Sequence, residues 1–95
     1  MAITRIVKLT FKPEHISDFE TFYATIRDKV AAQPGCNGVT FLKEQENTGV
    51  FFTYSNWNSV DDLNNYRNTS VFGQIWPTIK VWFGAKAEAW TLDVG

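Results

Sequence analysis

One cysteine and one histidine stand among the 95 residues of this chain, and the shortage of both excludes whole classes of chemistry. A lone Cys36 forms no intramolecular disulfide, and one thiol with one imidazole falls short of the ligand count of a His/Cys metal site. No Gly-rich phosphate loop, nucleophile elbow or dinucleotide fingerprint occurs. Neither sign of charge prevails: 9 Lys and Arg stand against 10 Asp and Glu, a formal net charge of −1. Such a balance gives no basic field for nucleic acid or an anionic membrane, and the charges are scattered rather than gathered in blocks. No apolar run approaches the roughly 20 residues of a membrane span. The opening MAITRIVKLT carries Arg5 and Lys8 in a strand pattern rather than the order of an export signal, so a cytoplasmic location is expected. No metal, cofactor, nucleic acid or membrane is expected as a partner.

Aromatic residues are abundant instead. Eight Phe, three Tyr and four Trp make up 16% of the chain. Side chains of this kind gather in cores, at interfaces and around ligand cavities, where their size and flat faces contribute most. The length fits a single domain over residues 1–95, and a domain this small buries a modest share of its surface. Association with a second copy would bury more.

The order of elements follows from periodicity. Residues 3–12 alternate as a strand, with Ile3, Val7, Leu9 and Phe11 on one side and Arg5 interrupting them. Pro13 and Glu14 signal a helix start, and Ile16, Phe19, Phe22, Tyr23, Ile26 and Val30 form its apolar face as far as about Ala32. Pro34 and Gly35 stop it. Residues 38–44 and 50–57 read as a hairpin around the turn Asn47-Thr48-Gly49. Ser59 followed by Asp61 and Asp62 caps a short helix to about Asn68. Thr69 and Ser70 cap another helical stretch carrying Val71, Phe72, Ile75, Ile79, Trp82 and Phe83, with a kink or restart expected at Pro77. Gly84 closes it, and residues 86–94 make the last strand. The order β-α-β-β-α-β is the ferredoxin-like α+β motif, with a four-stranded antiparallel sheet.

The sheet carries apolar residues on both faces. Phe51 and Trp57 lie on one side of the third strand, and Phe52 and Tyr54 on the other; the last strand sets Trp90, Leu92 and Val94 against Ala87 and Ala89. Helices cover one face, so a homodimer packed sheet to sheet is expected.

Chemistry concentrates between Trp57 and Trp82. Trp57, Tyr66 and Arg67 each offer a hydrogen-bond donor beside apolar surface, and Asn65 shares their helix end. Phe72, Trp76 and Trp82 follow on the broken helix, although Phe72, Ile75, Ile79 and Phe83 equally suit a core face. Aromatic walls with few polar groups suit a flat, apolar, partly phenolic ligand. His15, at a helix start, reads as a solvated surface residue, and Cys36 as a small buried filler.

Several motifs carry a resemblance. Pro34-Gly35-Cys36 before the second strand, the strand ending Tyr54-Ser55-Asn56-Trp57, the spacing Trp57-x-Ser59-x-x-x-Leu63-x-x-Tyr66 and the closing AKAEAW resemble the antibiotic biosynthesis monooxygenase family of dimeric α/β-barrel proteins. The likeness extends over nearly the whole chain. It implies a cofactor-independent monooxygenase acting on a small aromatic phenol or quinol with O₂, the family containing such oxygenases, haem-degrading enzymes and members of unknown activity. A non-catalytic dimeric module binding a small aromatic ligand is the alternative, and a haem-binding or haem-degrading variant a third. Some quinol-type members carry histidines at positions matching Tyr66 and Val71. The haem-degrading branch uses an Asn, a Trp and a His where Val7, Tyr66 and Trp76 stand here, so the haem-ligating histidine is missing. In the oxygenase reading Arg67 stabilises the oxyanion, Tyr66 or Trp57 donates a hydrogen bond, and Phe52, Phe72 and Trp76 wall the cavity.

Overall fold

A computed structural model describes residues 1–94. Strands β1 (Ile3–Thr10), β2 (Cys36–Lys43), β3 (Val50–Trp57) and β4 (Glu88–Asp93) form one antiparallel sheet in the order β2-β3-β1-β4. Helices α1 (Ile16–Ala31), α2 (Val60–Arg67) and α3 (Ser70–Lys80) accompany it. This is the ferredoxin-like α+β architecture that the order of elements implies.

Register assigns the faces. Ile3 pairs with Trp57, Arg5 with Ser55, Val7 with Thr53 and Leu9 with Phe51. Residues opposed in an antiparallel ladder share a face, and side chains alternate along each strand. One face therefore carries Phe51, Trp57, Ile3 and Leu9, all buried. The other carries Phe52 and Tyr54, with Trp90 opposite Ile6 and Leu92 opposite Thr4. Trp90 and Leu92 remain 43% and 46% exposed, which marks this second face as the open one.

The buried layer has two centres. Leu9, Phe11, Phe19, Tyr23, Ile26, Phe51, Ile75 and Ile79 form the larger, built from β1, β3, α1 and α3. Ile3, Trp57 and Leu63 form the smaller, with Cys36 and Tyr66 packed on it. Stacking is close in the first: the Phe11 and Phe19 rings lie 4.1 Å apart and those of Tyr23 and Phe41 4.3 Å.

Local details refine the reading of the sequence. Pro13–His15 form a single 3₁₀ turn, and α1 begins only at Ile16. Cys36 begins β2, ahead of a register shift at Gly38, whose φ is 145°. The helical segment is interrupted at Asn68 and Thr69, not at Pro77; α3 runs through Pro77 and stops at Lys80. A proline there forfeits one hydrogen bond to the carbonyl of Gly73, but with a single turn remaining the helix tolerates it. Trp82 and Phe83 consequently lie beyond the helix. Gly49 is fixed by geometry: its φ is +86°, and a Cβ would sit 2.6 Å from the Phe11 carbonyl oxygen. That close approach brings the Phe11 amide to the Gly49 carbonyl at 2.9 Å, tying the hairpin turn to the end of β1.

Candidate functional site

Between the two buried centres the sheet and helices part to leave a cavity of about 420 Å³. Its floor is the inward face of β1, β3 and β4, where the side chains are small or polar: Arg5, Val7, Thr53, Ser55, Ala87 and Ala89. Its walls are apolar and come from α1 and α3, among them Phe19, Ile26, Phe72, Ile75 and Trp76. The end of α2 contributes Leu63, Tyr66 and Arg67. All six residues of β4 are exposed, so the helices leave this side of the sheet uncovered.

Capping fixes the aromatic wall. Ser59 accepts the Asp62 amide at 3.2 Å and starts α2. Thr69 donates to the Tyr66 carbonyl at 2.6 Å and accepts the Phe72 amide at 3.3 Å, so one side chain ends α2 and begins α3. That junction sets Tyr66 and Phe72 edge to face at 5.4 Å, with Trp76 stacked on Phe72 at 6.1 Å. Caps of this kind contribute about 1 kcal/mol each.

Of the candidate residues, Tyr66, Arg67, Phe72 and Trp76 meet at this cavity. Trp57 stands one layer behind. It is 1% exposed, stacks on Tyr66 at 5.2 Å and donates its indole N–H to Ser55 Oγ at 2.9 Å. Indole has a single donor, so Trp57 orients Tyr66 and Ser55 and has no hydrogen bond left for a ligand. Phe52, Asn65 and Trp82 do not line the cavity. Phe52 points to the open face because its neighbour Phe51 points inward. Asn65 is exposed on α2. Trp82 packs against Phe22 and stacks on His15 at 6.1 Å. His15 is half-buried rather than fully solvated and hydrogen-bonds Asp18 at 2.9 Å.

Two residues of the cavity lining are not among those the sequence singles out. Arg5 lies on the cavity floor and donates to Thr91 Oγ1 at 2.7 Å. Burial lowers its guanidinium below the usual value, and the neighbouring positive charge of Arg67 adds to the effect. Its signal was present as the one charge on the inward side of the first strand. Tyr23 is the other: 7% exposed, it lines the cavity with its hydroxyl buried and without a partner among the described residues. Burial pushes the Tyr23 phenol up to about 12, against the opposing charge of Arg27. The Tyr66 phenol is also pushed up to about 12, by burial first and then by Cys36 and Tyr23. Both are neutral near pH 7, which leaves them able to donate a hydrogen bond and unsuited to act as bases. Among the described residues no group of three His, Cys, Asp or Glu side chains is placed to hold a metal ion.

An apolar slot between helices and sheet, with guanidinium and phenol groups in its lining, marks this as a ferredoxin-like α+β protein with an internal cavity. The sequence profile of the antibiotic biosynthesis monooxygenase family matches residues 2–76, and the chain belongs to that family. No curated protein matches it. Among solved structures, one described as an antibiotic biosynthesis monooxygenase superimposes with a TM-score of 0.91 at 20% identity, covering 98% of each chain. A conserved protein from Methanosarcina mazei Go1 gives 0.92 at 19% identity, over 100% of this chain and 94% of its own. A Mycobacterium tuberculosis protein gives 0.91 at 12% identity, over 100% and 96%. Likenesses at these identities establish the fold.

Proposed function

We propose that the protein is a cofactor-independent monooxygenase of a small phenol or quinol, acting as a homodimer. The observation that carries this is the composition of the cavity: apolar and aromatic walls, two guanidinium groups, and two phenols held neutral. An electron-rich phenolate reduces O₂ by itself. One oxygen atom enters the ring as the carbonyl of a quinone, the other leaves as water, and the substrate supplies all the electrons. The protein's part is to bind the ring, favour its anion and exclude water. Arg67, at the mouth, favours the anion together with Arg5, and Tyr66 donates to the developing oxygen charge. Phe72 and Trp76 hold the ring.

Oxygen uptake on a panel of hydroquinones and polycyclic phenols tests the reading. Arg67→Ala should slow turnover about tenfold, the lower end for a charge-assisted hydrogen bond because Arg67 is exposed. Tyr66→Phe should slow it by a similar factor. Wild-type uptake no faster than buffer on every compound would sink the proposal. That result would favour a dimeric module that binds an aromatic ligand without turnover. The cavity lining supports that alternative in one respect, since no imidazole faces it and the side chain of Glu88 lies with Lys8, at 3.7 Å, on the opposite face of the sheet.

The open face supports the dimer. Leu42, Tyr54, Trp90 and Leu92 are large, apolar and exposed on it. A two-fold partner would bury them against their own copies. Light scattering should give twice the 10.9 kDa chain mass at micromolar concentration, and a mass at the monomer value at every concentration overturns this.

A further inference from the structure

Charge on the cavity lining is one-sided. Arg5 and Arg67 both line it, and no carboxylate lies within 4.0 Å of either among the described residues; the ion pairs there are Lys8–Glu88, His15–Asp18 and Lys43–Glu20. Glu88 is thus engaged by Lys8 rather than by either arginine. A bound phenolate supplies one negative charge and leaves the second guanidinium without a counter-charge. Tyr23, from α1, lines the same cavity, with its unpartnered hydroxyl buried behind that lining, and its ring stacks on Phe41 of β2. Strand order places β2 two strands from β1, so the position of Arg5 and the strand beneath Tyr23 are about 10 Å apart across the sheet.

We propose that the ligand of this cavity is a hydroxylated aromatic carboxylate, whose carboxylate is received by Arg5 and Arg67 and whose phenolic oxygen accepts from Tyr23. The inference rests on the phenol-oxygenase reading and names its substrate class. Guanidinium forks match a planar carboxylate in shape as well as in charge. The carboxylate takes up one of the two positive charges, and the other leaves the cavity favourable to a second negative charge on the ligand. The apolar walls then select a flat ring, and the buried Tyr23 hydroxyl gains the acceptor it lacks.

Three probes separate the contributions: a hydroxynaphthoate, its methyl ester, and the naphthoate lacking the hydroxyl. Binding is read under nitrogen by calorimetry and by quenching of tryptophan emission, Trp76 being on the wall. The acid should bind at least about tenfold more tightly than its ester, the range for a charge-assisted contact. Arg5→Gln and Arg67→Gln should each remove about that factor for the acid and leave the ester within about twofold. Tyr23→Phe should weaken the hydroxynaphthoate and leave the plain naphthoate unchanged. Equal binding of acid and ester overturns the proposal, and so does equal weakening of both by the arginine variants, because a merely structural role for Arg5 would produce that. Should Arg5→Gln fail to fold, the exposed Arg67 and the charge-preserving Arg5→Lys decide: Arg5→Lys must keep a preference for the acid. Oxygen uptake is measured separately. Preference for the acid without uptake supports this proposal and removes the oxygenase; uptake of neutral quinols with no preference for the acid does the reverse.

Discussion

The two stretches of the layer between sheet and helices are built on opposite plans. Around Phe11, Phe19, Phe41 and Phe51 the rings interlock at centroid distances from 4.1 to 5.7 Å, and Phe51 is wholly buried. A few residues back along β1, at Val7 and Arg5, the facing positions are Thr53, Ser55 and Ala89, and the layer holds a cavity instead. Interiors pack to near-crystalline density, so a gap of this size persists only where side chains are too short to fill it. Stability lies in the aromatic stretch. Open space lies in the stretch where small side chains and two guanidinium groups line the sheet.

Truncation should expose that difference most strongly. Phe51→Ala should cost about 3–5 kcal/mol by urea unfolding, while Phe72→Ala, on the half-buried cavity wall, should cost less than about half as much. Equal losses would show that the cavity stretch is as tightly packed as the other, and the contrast would fail. Gly49→Ala should come next, at about 1–3 kcal/mol, because it combines a left-handed backbone with a clash against the Phe11 carbonyl of the aromatic stretch. Ligand affinity should survive that change once the variant is folded.

Alkali acts on the cavity side. Tyr23 and Tyr66 titrate near 12 in the folded chain and near 10 when unfolded. Between these values the unfolded chain has released protons that the folded chain retains, so stability falls as pH rises from 10 to 12 and is unaffected by these groups below 10. Melting temperatures followed over that range should decline less steeply in Tyr23→Phe. An unchanged slope would place the Tyr23 phenol in water. The smallest effect on stability should come from filling the gap: Ala89→Phe, on the exposed strand β4, should shift unfolding by less than about 0.5 kcal/mol yet abolish binding of aromatic probes.

Much of this contrast could be read along the chain, and the misses have physical causes. Alternation located β3 over 50–57 to the residue, and the hydroxyl caps at Ser59 and Thr69 located the starts of both later helices. Facing was harder. Phe51 and Phe52 are chemically alike, and only pairing with Leu9 and Lys8 tells which of them looks toward the helices. Arg5 is visible as an interruption, but an interruption becomes a cavity residue only when the layer above it is known to be hollow. Helical spacing as far as Gly84 draws Trp82 into the helix, whereas α3 closes at Lys80 and delivers Trp82 to the turn beside His15. Tyr23 sat in a row of apolar positions on α1 and looked like the rest of them; its orphaned hydroxyl is a tertiary property.

Strand order also sets a timetable. The hydrogen bond from Arg5 to Thr91 joins residues 86 apart in the chain, and β4 pairs only with β1. During synthesis β2 and β3 can zip together as a local hairpin soon after they emerge, and β1 can then dock on β3, while its far edge waits for β4, which follows only after α2 and α3. Three strands of the sheet can therefore pair before the fourth, whereas the larger buried centre is complete only once Ile75 and Ile79 of α3 have joined it.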